Sequence, residues 1–322
     1  MKASTISKLA LVGLLAAAAS KPAHAGDYPS DTVRVIVPWR AGGGTDSIAR
    51  ALAAAMEKIS GKAVVVDNIT AGAGNAAHTN VRDGKADGHT MLLNGSSDMN
   101  APIVFRNVPY DIKDFACVGA VYSTPTWVLA HKDQGINDLG EFLDKAKAEP
   151  GKYTIGVGHL TSTHGIMASA IIGSNGIKAR IIPFDGGGPL KKAILANQVT
   201  IGVIHAPVLL DAVKNGNVKV LAAGGSLEGI NYEAVRQTKT LENYNTPVEF
   251  GVVRGLLAAK DTPADVLAKA EDLVKKAAMS DDFKAFGAKF GFAPIWWDGN
   301  KFCDFLAKEQ RAYRDIKAKF FK

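Results

Sequence analysis

One arrangement occurs twice in this chain and constrains the fold more than composition does. Val33–Val37 is a β-branched run that stops at Pro38 and turns through Trp39-Arg40-Ala41-Gly42-Gly43-Gly44-Thr45-Asp46 into a helical pattern over residues 47–59. Residues 179–182 repeat the design through Pro183-Phe184-Asp185-Gly186-Gly187-Gly188-Pro189, again followed by a helical pattern. A strand that ends at a proline, passes three glycines and enters a helix leaves backbone N–H groups unsatisfied at the positive end of the helix dipole. Such an end seats an anion, whether phosphate or carboxylate. As mere connectors the glycines would be tight turns, but two matched loops suggest two jaws on one ligand.

The amino terminus reads as a secretory leader. Lys2 and Lys8 form a basic start, residues 9–19 are a short apolar run, and Ala23-His24-Ala25 is a small-residue cleavage site, so cleavage is expected after Ala25 and the product in the periplasm. Nowhere in the 322 residues does an apolar run reach the length of a membrane-spanning helix. The net charge of +7 includes Lys2, Lys8 and Lys21 of the leader and is otherwise spread without basic blocks. That argues against nucleic acid and for anionic solutes. Of the two cysteines, Cys117 falls in a strand-like run and Cys303 in a late helix, and they could pair or stay free.

From Val33 onward β-branched runs alternate with helical ones, which predicts α/β layers with parallel strands. Residues 122–127 and 246–251 read as crossings between two lobes, giving a leader over 1–25, a first lobe over 26–125, a second over 126–248 and a return to the first over 249–322. A central ligand cleft with hinge closure follows from that double crossing. Residues 95–98 are expected to be a polar loop after a strand, and residues 158–165 another.

With these features in place, the chain resembles the tripartite tricarboxylate transporter solute receptors, the Bug/TctC family. The resemblance is carried by Ile36-Val37-Pro38-Trp39 with the first glycine loop, Asp87-Gly88-His89-Thr90, Val108-Pro109-Tyr110-Asp111 with Lys113-Asp114-Phe115, Pro183-Phe184-Asp185-Gly186-Gly187-Gly188, and Arg254-Gly255-Leu256 with Thr262-Pro263. It implies a type II periplasmic-binding-protein fold and a non-enzymatic receptor whose glycine loops pinch one ligand carboxylate. It also implies delivery of the ligand to a membrane permease pair. The chain departs from the family pattern at His205, where an acidic residue is common, at Gly158-His159-Leu160-Thr161, and at Val253, where many members carry tryptophan.

The expected ligand contacts are Trp39, Arg40, Ala41, Gly42 and Gly43 of the first jaw, and Phe184, Gly186 and Gly187 of the second. Asp46 either caps the first helix or touches ligand. Ser96 and Ser97 lie at the end of a parallel strand, where such sheets bind ligands. His159, Thr161, Thr163 and His205 complete the set, with His205 offered as a donor to a second carboxylate. Trp39 and Phe184 could sandwich an apolar ligand body, and Arg40 could pair with Asp185 across the jaws. No carboxylate or thiolate stands at metal-ligand spacing beside the histidines. A monomer without cofactor is expected.

Two other readings compete. One is an exported hydrolase using Ser96 or Ser97 with a histidine, although no G-x-S-x-G elbow is present. The other is a ligand sensor for a membrane kinase. Nucleotide binding is disfavoured, because neither glycine triplet continues as a P-loop or as G-x-G-x-x-G.

Overall fold

The computed structural model describes residues 28–160, 162–225, 235, 237–246 and 251–320. The expected leader, Thr161 and residues 247–250 of the second expected crossing lie outside the described residues. The strands form two sheets, each covered by helices, in a two-lobe α/β fold. The first sheet contains β1 (Val33–Val37), β2 (Val64–Asn68), β3 (Thr90–Asn94), β4 (Phe115–Thr124), β10 (Val252–Ala259) and β11 (Ala293–Asp298) in the order β11-β4-β10-β3-β1-β2. The second contains β5 (Thr126–His131), β6 (Thr154–Val157), β7 (Arg180–Pro183), β8 (Ile201–His205) and β9 (Val218–Gly224) in the order β7-β6-β8-β5-β9.

The helices are α1 (Gly44–Ser60), α2 (Asn75–Arg82), α3 (Ser96–Phe105), α4 (Leu139–Ala148), α5 (Thr163–Asn175), α6 (Gly187–Leu195), α7 (Ala206–Lys214), α8 (Ala264–Ala278), α9 (Asp281–Phe290) and α10 (Gly299–Phe320). In α1 the spacing of Ile48, Leu52, Ala55 and Met56 puts one apolar stripe against Val35, Val37 and Met91 of the sheet. The helix ends at Gly61, whose φ of 67° no other residue adopts as cheaply and whose N–H closes on the Glu57 carbonyl.

The chain leaves the first sheet after Thr124 and enters the second at Thr126, with Pro125 alone between them. Where the described backbone comes back, Gly225 and Gly251 touch directly, and a Cβ on Gly225 would lie 2.3 Å from the Gly251 Cα. These strands therefore run side by side between the sheets. The returning β10 inserts antiparallel between β3 and β4.

The segment expected to be a polar loop at residues 95–98 is instead the start of α3. Its residues are buried on all sides, Ser96, Ser97, Met99, Asn100, Ala101 and Val104 among them, so no amphipathic period betrays the helix. Pro102 lies inside it, and Ser96 opens it at a φ of 41°. The second expected loop is shorter than anticipated for the same kind of reason. Ser162 caps α5 by accepting from the Gly165 N–H, so Thr163 and His164 belong to the first helical turn.

α10 joins the lobes. Its Phe302 and Leu306 pack with Ile36 and Leu92 of the first sheet, while Tyr313 and Ile316 pack with Phe142 and Ile171 beside the second. Cys117 of β4 and Cys303 of α10 form a disulfide with their Cα atoms 5.8 Å apart, which resolves the choice left open by sequence. The bridge closes a chain separation of 186 residues. Replacing both cysteines by alanine is expected to cost about 2–4 kcal/mol of stability by freeing the unfolded chain. Urea melts of oxidised wild type and the double variant check it; coincident curves would contradict it.

Candidate functional site

The first jaw is shaped from beneath. Asp46 is buried and accepts hydrogen bonds from the Gly42 N–H at 2.8 Å, the Asn68 amide at 3.0 Å and Arg50. Asn68 also donates to the Trp39 carbonyl. Asp46 thus braces the loop from inside, with the helix cap falling to Gly43. Its carboxylate is engaged on both oxygens, leaving neither role offered by sequence to it. Arg40, Ala41, Gly42 and Gly43 are exposed.

The second jaw is more open. Gly186 has a φ of 93° and donates its N–H to the Gly158 carbonyl. A Cβ at Gly186, Gly187 or Gly188 would meet nothing within 4 Å, so the start of α6 faces free space. Phe184 packs onto the second lobe with Leu190 and Ile194, away from Trp39, because its own lobe offers apolar cover. The side chain of Asp185 is 99% exposed and stands 3.9 Å from His159 of the same lobe. Arg40 makes no ion pair among the described residues, so the expected Arg40–Asp185 contact is not formed.

Between the sheets lies a cavity of about 250 Å³. Its walls take Pro38 and Trp39 from the first jaw, Ala73 and His78 from the second glycine turn and α2, and Asn94, Ser97, Asp98, Ala101, Pro102, Arg106 and Tyr110 from β3, α3 and beyond. His159, Ser162 and Thr163 close it from the other lobe. The glycines of both triplets are not in this wall. A larger hollow of about 420 Å³, lined by Lys132, Ile136, Val213 and Lys219, touches neither jaw.

Arg254 of β10 anchors the floor. It donates to the Thr45 hydroxyl at 3.0 Å and the Tyr122 hydroxyl at 2.8 Å, pairs with Asp98, and lies 4.7 Å over the Trp39 ring. Burial works against its charge, but Asp98 and Tyr122 outweigh burial and raise its pKa. His78 is buried, stacked on Tyr110 at 4.0 Å, and held by the Gly74 carbonyl and the Asn94 amide. Desolvation lowers its pKa to about 4, so this ring is neutral near pH 7.

His205 does not line the cavity as the donor to a second carboxylate expected from sequence. Its ring packs edge-on to His164 with centroids 4.3 Å apart, and its Nδ1 lies 3.3 Å from the Thr126 hydroxyl. Desolvation, with Arg254 nearby, pushes its pKa down to about 3, and it is absent from the cavity wall. His164 is likewise buried and held neutral by desolvation and by His205. His159 and Thr163 do reach the cavity.

Ser96 is turned inward, bonded to the Gly251 carbonyl and the Glu309 carboxylate, each at 2.9 Å. Glu309 also takes the Asn100 amide at 2.7 Å, tying α10 to α3. Ser96 is therefore a fold contact and not a cleft contact, because the left-handed turn at this position aims its hydroxyl away from the cavity. Ser97 does line the cavity. Neither serine bonds a histidine among the described residues.

The comparisons with known proteins agree with this architecture. The family model for the tripartite tricarboxylate transporter family receptor, TctC, matches residues 48–319. The chain belongs to that family. It is a family of periplasmic solute-binding receptors and not of enzymes. The receptor is 30% identical to Protein BugT of Bordetella pertussis, covering 70% of this chain and 71% of the relative. It shares its fold with a TctC solute-binding protein from Polaromonas at a TM-score of 0.81 and 24% identity, covering 91% and 99% of the two chains. It also shares it with MatC from Rhodopseudomonas palustris, solved with bound malate, at a TM-score of 0.70 and 24% identity over 90% and 99%.

Of this receptor's cavity lining, sequence reading anticipated Trp39, Ser97, His159 and Thr163 and missed the rest, His78, Asp98, Arg106 and Tyr110 among them. Tyr110 carried a signal, since it sits in the Val108-Pro109-Tyr110-Asp111 stretch. Arg106 carried none, because it was placed by a helix hidden from pattern analysis.

Proposed function

We propose that this receptor captures a small organic carboxylate between its lobes and delivers it to a membrane permease pair of a tripartite tricarboxylate transporter. The observation that carries this reading is the cavity, which draws its wall from both lobes and is small beside the several hundred Å³ of drug-sized sites. Malate held by a protein of the same fold supports the ligand class. In this reading the lobes 26–125 with 249–322, and 126–248, close on the ligand, and the jaw residues Trp39, Arg40, Ala41, Gly42, Gly43, Gly186 and Gly187 approach one carboxylate through backbone amides. Export with cleavage after Ala25 supplies the periplasmic location.

A thermal-shift screen of di-, tri- and aromatic carboxylates tests the reading. A true ligand at one hundred times its Kd adds about 2.7 kcal/mol of stability by mass action. Stabilisation by at least one carboxylate is expected; a response to sugars, cations or nucleotides alone would overturn the proposal.

A further inference from the structure

α10 is apolar on one side only. Phe302, Leu306, Tyr313 and Ile316 are buried against the two lobes. Its outer surface carries Lys301, Lys308, Arg311, Arg314, Lys317 and Lys319, all exposed, against the two exposed acids Asp304 and Asp315. The 22 residues of the helix make a rod of about 33 Å, so the excess of cations forms a stripe and not a point. Part of that charge is paired locally. Arg314 stands 3.7 Å from Asp111, and Lys317 donates to the Val104 carbonyl. Lys308 and Arg311 make neither hydrogen bond nor ion pair among the described residues, although Asp304 and Asp315 each lie one turn away. A solvated helix face ordinarily mixes both signs; an excess of one sign repels itself and favours an oppositely charged surface alongside.

One end of the stripe adds aromatic surface. Trp297 of β11 and Phe305 of α10 are half-buried and meet edge to face with centroids 5.2 Å apart. Lys301 lies 4.6 Å over the Trp297 ring. Lys301, Phe305 and Lys308 succeed one another at helical spacing and share one side of α10. Lysines above partly exposed aromatic rings match the headgroup region of a bilayer, where the ring lies at the interface and the ammonium reaches the phosphates. A protein partner is instead held by an anchor side chain in a pocket, and neither hollow described above takes a residue of α10. The stripe is also clear of the ligand site. α3 turns Ser97 and Asp98 to the cavity and bonds α10 from its other side, through Ser96 and Asn100 to Glu309.

We infer that the outer face of α10 docks on an anionic phospholipid surface, with Lys301, Lys308 and Arg311 on headgroup phosphates and Trp297 with Phe305 at the interface. Ammonium and guanidinium groups suit phosphate oxygens, the arginine by a two-point contact. The inference goes beyond the carboxylate reading and stands without it. Its effect is to hold the receptor beside a membrane, by an attraction that physiological salt screens beyond about 8 Å.

Co-sedimentation with vesicles tests it, using the chain from Gly26 so that the apolar leader contributes nothing. Vesicles of phosphatidylcholine alone are compared with vesicles holding about 30 mol% phosphatidylglycerol, at low and high salt. Binding to the anionic vesicles is expected to exceed binding to the neutral ones by about tenfold or more at low salt, and to fall as salt rises. Lys308→Glu with Arg311→Glu is expected to remove that preference, while Lys191→Glu with Lys192→Glu on α6, the same change of net charge, leaves most of it. Lys308→Gln with Arg311→Gln, a milder change at the same exposed positions, is expected to give the loss in smaller degree. Brominated phosphatidylglycerol is expected to quench tryptophan emission in wild type, and less in Trp297→Phe. Absence of binding to the anionic vesicles, or equal binding to both kinds, would overturn the inference and leave the stripe to an acidic protein or to solvent. Equal losses in the α10 and α6 variants would overturn the assignment to α10, since net charge alone would then account for the attraction. Undiminished quenching in Trp297→Phe would overturn the role of the aromatic end.

Discussion

Acidification from pH 7 to pH 5 is expected to destabilise this receptor by several kcal/mol before its carboxylates begin to titrate. His78, His164 and His205 are held neutral in the folded state by burial, with pKa values of about 4 for His78 and about 3 for His205, and well below the usual value for His164. In the unfolded chain each returns to about 6.5. Above that pH both states are neutral and the groups contribute nothing to the pH dependence. As the pH falls through 6.5 the unfolded chain takes up protons that the folded protein refuses, so stability drops. The slope is about 1.4 kcal/mol per pH unit for each histidine, or about 4 for the three together, and it continues until the folded pKa values are reached. Urea midpoints at pH 7, 6 and 5 measure it. A stability independent of pH over that range would contradict the burial of these rings, and His205→Asn should remove about a third of the slope.

Arg254→Ala is expected to cost about 3–5 kcal/mol, the usual result of breaking a buried ion pair from one side. The deletion leaves Asp98 without its guanidinium, frees the Thr45 and Tyr122 hydroxyls, and strips the cover from the Trp39 ring. Arg254→Lys should recover only part of the loss, because one ammonium cannot span three partners held by a planar fork. Removing both charges, as Asp98→Asn with Arg254→Met, should cost less than the sum of the single changes, and a double-mutant cycle reads that coupling. Denaturant melts serve as the assay. An Arg254→Ala variant within 1 kcal/mol of wild type would show that the cavity floor does not depend on the pair.

Most of the scaffold could be read from local patterns, because strands and helices with one buried face advertise themselves by period. β1 and β3 fall on the expected residues, and α1 differs only at its ends. α3 escaped because it is enclosed on every side and carries a proline, so neither period nor propensity marks it. That omission propagated to the site. Once residues 95–98 become a helix, Ser96 turns to Glu309, Asp98 turns to Arg254, and Arg106 arrives at the cavity. The partners are separated by 213 and 156 residues, distances at which no local pattern speaks. His205 was offered as a donor to a second carboxylate on position alone; the fold instead buries it beside His164, and desolvation, with Arg254 nearby, holds it neutral. The disulfide was undecidable for the same reason, since it joins the first sheet to the last helix.

The central claim is that one carboxylate ligand is held between the two lobes. A crystal structure of the receptor grown with the most stabilising carboxylate of the screen tests it directly. The account predicts ligand density in the cavity between Pro38–Trp39 on one side and His159–Thr163 on the other, with contacts from both lobes. Density confined to one lobe, or seated in the hollow beside Lys132 and Lys219, would contradict it.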